Sequence, residues 1–136
     1  MFKATKKIAD YFKQAGVPYS VEDSKDESAV VAEISGVYVA GSKARFVSCD
    51  DENDVTVSVV DFISLSETQR ARIFETLNEL NGMFRYLRFR MDKDGHLIAE
   101  YDIPTSSANI AEQAFELFLT IMDVLDDAAK HILRNK

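Results

Sequence analysis

The stretch from Ser66 to Leu133 reads SETQRARIFETLNELNGMF (66–84), RYLRFRMDKDGHLIAEYDI (85–103) and, after a short connection, SANIAEQAFELFLTIMDVLDDAAKHIL (107–133). Its periodicity predicts a helix, a β-hairpin and a second, longer helix, because apolar residues recur at helical spacing in the first and last segments and alternate in the middle one. An α-helix advances about 100° per residue, so the last segment can be read as an arc. From Val124 through Leu117, Ile110, Ile121, Ala114, Leu125, Phe118 and Met122 to Phe115 and Leu133, its apolar arc spans about 180°. A helix lying on one sheet needs a stripe of only about 100°. The flank formed by Phe115, Phe118, Met122 and Leu133 is therefore expected to meet a further partner, either the first helix of the same chain or a second copy about a two-fold axis. The opposite arc, with Glu112, Glu116, Asp123, Asp126, Asp127 and Lys130, reads as a solvated face, although Leu119 falls inside it.

The hairpin can be placed in register because opposed residues of an antiparallel pair share a face. A two-residue Asp94-Gly95 loop would set Phe89 against Glu100 and mix the faces. A three-residue Lys93-Asp94-Gly95 loop with Gly95 in the left-handed region sets Leu87 opposite Tyr101, Arg88 opposite Glu100, Phe89 opposite Ala99 and Met91 opposite Leu97, which separates core from solvent.

Upstream, Met1 to Ala15 predicts a helix whose Ala4, Ile8, Tyr11, Phe12 and Ala15 lie within about 100°. Gly16 ends it, and Val17-Pro18 forces extended backbone into a short strand from Tyr19 to Glu22. The DSKDES run (23–28) reads as a solvated turn. Ala29 to Ser35 and Val37 to Val39, interrupted by Gly36 and closed by Gly41, read as one bulged strand or two short ones. Ala44 to Cys49 and Val55 to Ile63 form a hairpin with Val55, Val57 and Val59 on one face. Ser66 and Gln69 make a capping box for the second helix, whose stripe is Ile73, Phe74, Leu77, Leu80 and Phe84. Asn81 falls in that stripe and is expected to end the helix beside Gly82 by bonding backbone, since a bare buried amide costs about 1 to 3 kcal/mol. The sum is an α+β single domain over residues 1–136, with an antiparallel sheet of about five strands flanked by three helices in the order α-β-β-β-α-β-β-α. The strand count between residues 19 and 63 stays open.

At 136 residues the chain is long enough for one core without disulfides, and the lone Cys49 forms no internal one. A net charge of −7 opposes nucleic-acid binding, whose footprint is a surplus of Lys and Arg. Lys3, Lys6 and Lys7 interrupt the N-terminal stretch, so no signal peptide or membrane span is expected and the cytoplasm is the expected location. The Asp50–Asp54 run lacks the glycine and distal Glu of a calcium loop and reads as a hairpin tip. No metal, cofactor or catalytic residue is expected: His96 and His131 stand singly, and no phosphate loop or nucleophile elbow occurs. Arg85, Arg88 and Arg90 form one basic cluster with Tyr86, readable as a site for a partner's carboxylates or as cross-strand pairing of Arg88 with Glu100 and Asp102.

LSETQRARIFETLNELN (65–81), the FRYLRFRMDKDGHLIAEYDIP hairpin and the AEQAFELFLTIMDVLDDA helix together resemble the YbjN family. The likeness covers about half the chain, and it implies a fold similar to the chaperones of type III secretion, with helices against an antiparallel sheet and no catalytic residues. On that basis the chain is expected to be a non-enzymatic, protein-binding regulator or chaperone-like adaptor, and a homodimer, that engages a protein partner through a sheet edge and apolar helix surface. Arg85, Arg88, Arg90, Phe115, Phe118 and Met122 are the candidate partner-binding residues. A dedicated secretion chaperone and a small-ligand-binding domain, the latter built on Arg88, Tyr86 and His96, are the alternatives.

Overall fold

The computed structural model describes residues 1–39, 41–50, 54–85, 87–104 and 109–134. The elements run α1 (Lys3–Ala15), β1 (Ser20–Asp23), β2 (Ser28–Ile34), β3 (Ser42–Ser48), β4 (Val55–Val60), α2 (Glu67–Ala71), α3 (Ile73–Met83), β5 (Arg88–Met91), β6 (Leu97–Ile103) and α4 (Ile110–Arg134). All six strands pair antiparallel in one sheet of order β1-β2-β3-β4-β6-β5. The class is the expected α+β, with six strands rather than about five and four helices rather than three.

Both differences trace to particular residues. The strand at Ser20–Asp23 is a separate edge strand, and Val37–Val39 is no strand: Gly36 N–H bonds the Val39 carbonyl, which folds the segment into a turn. Asp126 of α4 accepts the backbone N–H of Tyr38 at 2.6 Å and of Val39 at 3.2 Å. Gly36 sits so close to this carboxylate that a Cβ there would lie 2.5 Å from its oxygen, so a side chain would push the turn off α4. The helix expected over Ser66–Phe84 opens with its capping box but breaks at Arg72, whose φ/ψ of −105°/8° leaves the α region. The second segment buries Ile73, Thr76, Leu77 and Leu80. Phe74 lies about 100° from Ile73 and is 77% exposed, so it does not belong to the stripe. The helix also runs two residues past Asn81, to Met83.

The hairpin register is the expected one over its paired length: Arg88 faces Glu100, Phe89 faces Ala99 and Met91 faces Leu97. Leu87 lies before the ladder begins. Gly95 has φ +82°, and Asp92 N–H bonds the His96 carbonyl across the three-residue loop.

Alternation along the strands sends Val30, Ala32, Ala44, Phe46, Val57, Val59, Phe89 and Ala99 into one core with Ile8, Phe12, Leu77, Leu80, Phe118, Ile121 and Leu125 of the helices. The helices thus share one face of the sheet. The other carries Arg45, Thr56, Ser58, Arg88, Arg90 and Glu100. Of the surplus flank of α4, Phe115 and Phe118 are met by α1 of the same chain, while Leu133 at its end stays 37% exposed. Phe12 lies 5.4 Å from Phe118 and 5.7 Å from Phe115 by ring centroids, and Tyr11 lies 5.4 Å from Phe115. The N-terminus of α1 has no side-chain cap of its own. Ser28 of β2 substitutes, accepting Phe2 N–H at 3.2 Å and donating to Thr5 Oγ1 at 2.8 Å.

Four substitutions have expected outcomes in denaturation measurements. Ile121→Ala, at 1% exposure, loses about 2 to 5 kcal/mol, and Phe118→Glu unfolds the chain instead of releasing folded single copies. Ser28→Ala loses about 0.5 to 1.5 kcal/mol with the bonds that seat α1, measured by urea midpoint. Its cross-strand neighbour Ser48 is 1% exposed and its hydroxyl has no partner among the described residues, so Ser48→Ala leaves the midpoint unchanged or raises it.

Candidate functional site

An open sheet offers its chemistry at its edges, where backbone donors and acceptors face outward. Here the edges are β1 and β5. Gly16 closes α1 in the left-handed region, Val17 and Pro18 extend the chain, and β1 follows with all four residues exposed. Ser24 N–H bonds the Glu27 carbonyl at 2.8 Å at the tip of the β1–β2 hairpin. Counting back by twos, Glu22 and Ser20 direct their backbone groups to β2, while Val21 and Asp23 direct theirs outward. No described strand lies beyond them. The side chain of Val21, which opposes Val30 on the helix-bearing face, is 39% exposed. On the other face, Arg45 bridges back to Glu22 and Glu27. Beside the start of β1 a cavity of about 400 Å³ is lined by Val17, Pro18, Tyr19, Ser20, Val31, Glu33 and Lys43.

The β5 edge differs. Alternation from the same hairpin rule turns the backbone groups of Phe89 away from β6, and both are bonded to the side-chain amide of Asn81. Asn81 bonds backbone as its place in the sequence leads one to expect, but its target is a strand edge rather than its own helix end.

The basic cluster resolves into pairs. Arg88 reaches Asp102 at 3.2 Å and Glu100 at 3.5 Å, and Arg90 reaches Glu100 at 2.8 Å. The hydrogen bond that Arg90 donates to the Glu100 carboxylate, reinforced by the charge of Glu100, raises the Arg90 pKa above its ordinary value. These pairs leave 64% of the Arg88 and 50% of the Arg90 side chain exposed, so they are screened and contribute at most about 1 kcal/mol each. Arg85 is exposed after α3, and Tyr86 lies outside the described residues. Arg88 stands at the open end of the β5–β6 hairpin and His96 at its turn, so these two do not converge on one pocket. Phe118, 3% exposed, is a core residue, while Phe115 and Met122 are half-buried beside it. Both histidines pair with carboxylates: His131 with Glu79 at 2.6 Å and His96 with Asp61 at 2.7 Å. Asp61, at φ +49°, also accepts Leu97 N–H and so ties the end of β4 to β6. Among the described residues no three His, Cys, Asp or Glu side chains gather as a metal site; the acidic tip at 51–53 lies outside them. No described helix is long and apolar enough to cross a membrane.

The Asp61 hydrogen bond, followed by the charges of Asp61, Asp92 and Asp94, raises the His96 pKa above 6.5. A raised folded-state pKa means the pairing contributes fully below the unfolded value and is lost as pH rises through the folded one. A proton NMR titration is expected to place His96 above 6.5, and Asp61→Asn to move it back toward that value.

No curated protein matches this chain. Residues 20–134 match the family described as T3SS (YopN, CesT) and YbjN peptide-binding chaperone 1, a match that takes in the sheet and α2 to α4 and leaves out α1. The one-sided antiparallel sheet with an exposed edge strand is an architecture suited to holding an extended chain, and the chain belongs to this family of peptide-binding chaperones.

Proposed function

We propose that this protein is a non-enzymatic chaperone-like adaptor of the cytoplasm that takes an extended segment of a client protein as an added strand on β1. The supporting observation is the asymmetry of the edges: Val21 and Asp23 turn their backbone groups outward on β1, while Phe89 on β5 is already bonded to Asn81. Main-chain hydrogen bonds from an added strand supply affinity that is largely independent of client sequence, and alternate side chains supply selectivity. On the helix-bearing face these side chains meet Val21, and on the other face they meet Ser20 and Glu22. A dedicated secretion chaperone is the narrower form of the same reading, with one client instead of several. A homodimer fits the family reading as well, but it has to use a surface other than Phe118, which α1 covers; Leu119 and Leu133 on the outer side of α4 are 46% and 37% exposed.

Proline distinguishes the two sides of β1. Val21→Pro removes an outward N–H and leaves the bonds to β2 in place, whereas Glu22→Pro removes an inward one. Extended peptides selected on the wild type from a display library and measured by fluorescence anisotropy are expected to bind Val21→Pro at least about tenfold more weakly, the loss of about one hydrogen bond, with unchanged circular dichroism. Glu22→Pro is expected to lower the thermal midpoint as well. Peptides that bind Val21→Pro as they bind the wild type would show that the client site is not this edge.

A further inference from the structure

The outer edge of β5 is occupied by a side chain that does what a neighbouring strand would do. Asn81 Nδ2 donates to the Phe89 carbonyl at 3.0 Å, and Asn81 Oδ1 accepts the Phe89 N–H at 2.8 Å. A carboxamide carries one donor and one acceptor in the same plane, as a peptide unit does, and two such bonds to one residue are the pattern of a hydrogen-bonded antiparallel pair. The contact satisfies both outward groups of Phe89, one of the two β5 residues that alternation turns away from β6, so no second strand can pair with Phe89 until Asn81 leaves.

We propose that Asn81 is a strand mimic that closes β5 against a second copy of this chain. The occupant it excludes follows from the symmetry of the edge. A two-fold axis beside Phe89 would set Phe89 against Phe89 of another copy, and each would make the two bonds that Asn81 now makes. The side chains around that junction would not prevent it. Arg88 and Arg90 are each paired with Glu100 or Asp102, which offsets part of the repulsion between the like charges that would meet across the junction. Phe74, seven residues before Asn81 and thus on the same flank of α3, is 77% exposed. A short, flat edge of this kind is the feature that natural sheets protect by charges, bulges or cover; here the cover is one amide. The consequence for the adaptor, which rests on the reading of β1 as its client edge, is that copies of the chain do not add to one another through β5.

The inference needs no client, so its test is separate from that of peptide binding at β1. Amide hydrogen exchange by NMR on the wild-type chain is expected to show the Phe89 N–H protected although it lies on an edge, and the Val21 and Asp23 N–H groups exchanging fast. In Asn81→Ala, the Phe89 amide is expected to exchange at least about tenfold faster. Light scattering is expected to give Asn81→Ala a mass that rises with concentration above that of the wild type. Asn81→Asp keeps the acceptor for Phe89 N–H but loses the donor, so its Phe89 amide stays slow. Asn81→Ser, whose hydroxyl is too short for either bond, serves as the second opened variant should Asn81→Ala unfold by circular dichroism. Wild-type Phe89 exchanging as fast as Val21 would overturn the closure. An opened, folded variant whose Phe89 amide exchanges fast while its mass stays that of the wild type would overturn the exclusion of a second copy.

Discussion

Three aromatic rings from three elements hold the two layers of this protein together. Phe12 of α1 meets Phe46 of β3 at 5.6 Å and Phe118 of α4 at 5.4 Å, and Phe118 meets Phe46 at 6.5 Å. Phe12 and Phe46 are fully buried and Phe118 nearly so. Tilted and edge-on ring pairs of this kind add about 0.5 to 1.5 kcal/mol each beyond the area they bury. Because α4 has an apolar arc wider than one sheet contact can cover, its free flank needs α1, and α1 in turn is held at its uncapped start by Ser28. The helix layer is thereby confined to one face, and the other face and the two edges are what the sheet presents to its surroundings.

The treatment of those edges separates this protein from a sheet that merely folds. The topology places β6 between β4 and β5, which sends the short β5 to the outside, directly beneath α3. A helix over an edge can deliver a side chain to it, and Asn81 is the residue delivered. At the other end of the sheet α1 is joined to β1 by only Gly16, Val17, Pro18 and Tyr19, and its apolar face is committed to the core. A family of peptide-binding chaperones and an edge that remains available to an extended chain are consistent with one another on these grounds.

Exposed charge plays a smaller part than its abundance implies. The Arg88, Arg90, Glu100 and Asp102 ladder sets register on the solvated face, but each pair is exposed and screened, and its energetic share is modest. The His96–Asp61 contact has more structural consequence, because the same carboxylate receives Leu97 N–H and closes the end of the β4–β6 pairing.

Local chemistry alone determined the capping box at Ser66, the three-residue loop with Gly95 at positive φ, the register of Arg88 on Glu100 and the excess apolar width of α4. Each depends on residues near in sequence, where periodicity and turn geometry leave few alternatives. The class of fold was legible for the same reason, as was Asn81 bonding backbone, since an amide at the end of an apolar helix stripe beside a glycine finds its partners in free main-chain groups. Tertiary structure decided the rest. Whether Phe118 meets α1 or another copy, whether Val37–Val39 pairs or turns onto Asp126, and which strand edge Asn81 closes all depend on segments brought together across the chain, from eight residues for Asn81 and Phe89 to about a hundred for Phe12 and Phe118. Periodicity records how much surface an element must bury; only the packed arrangement assigns the partner that buries it.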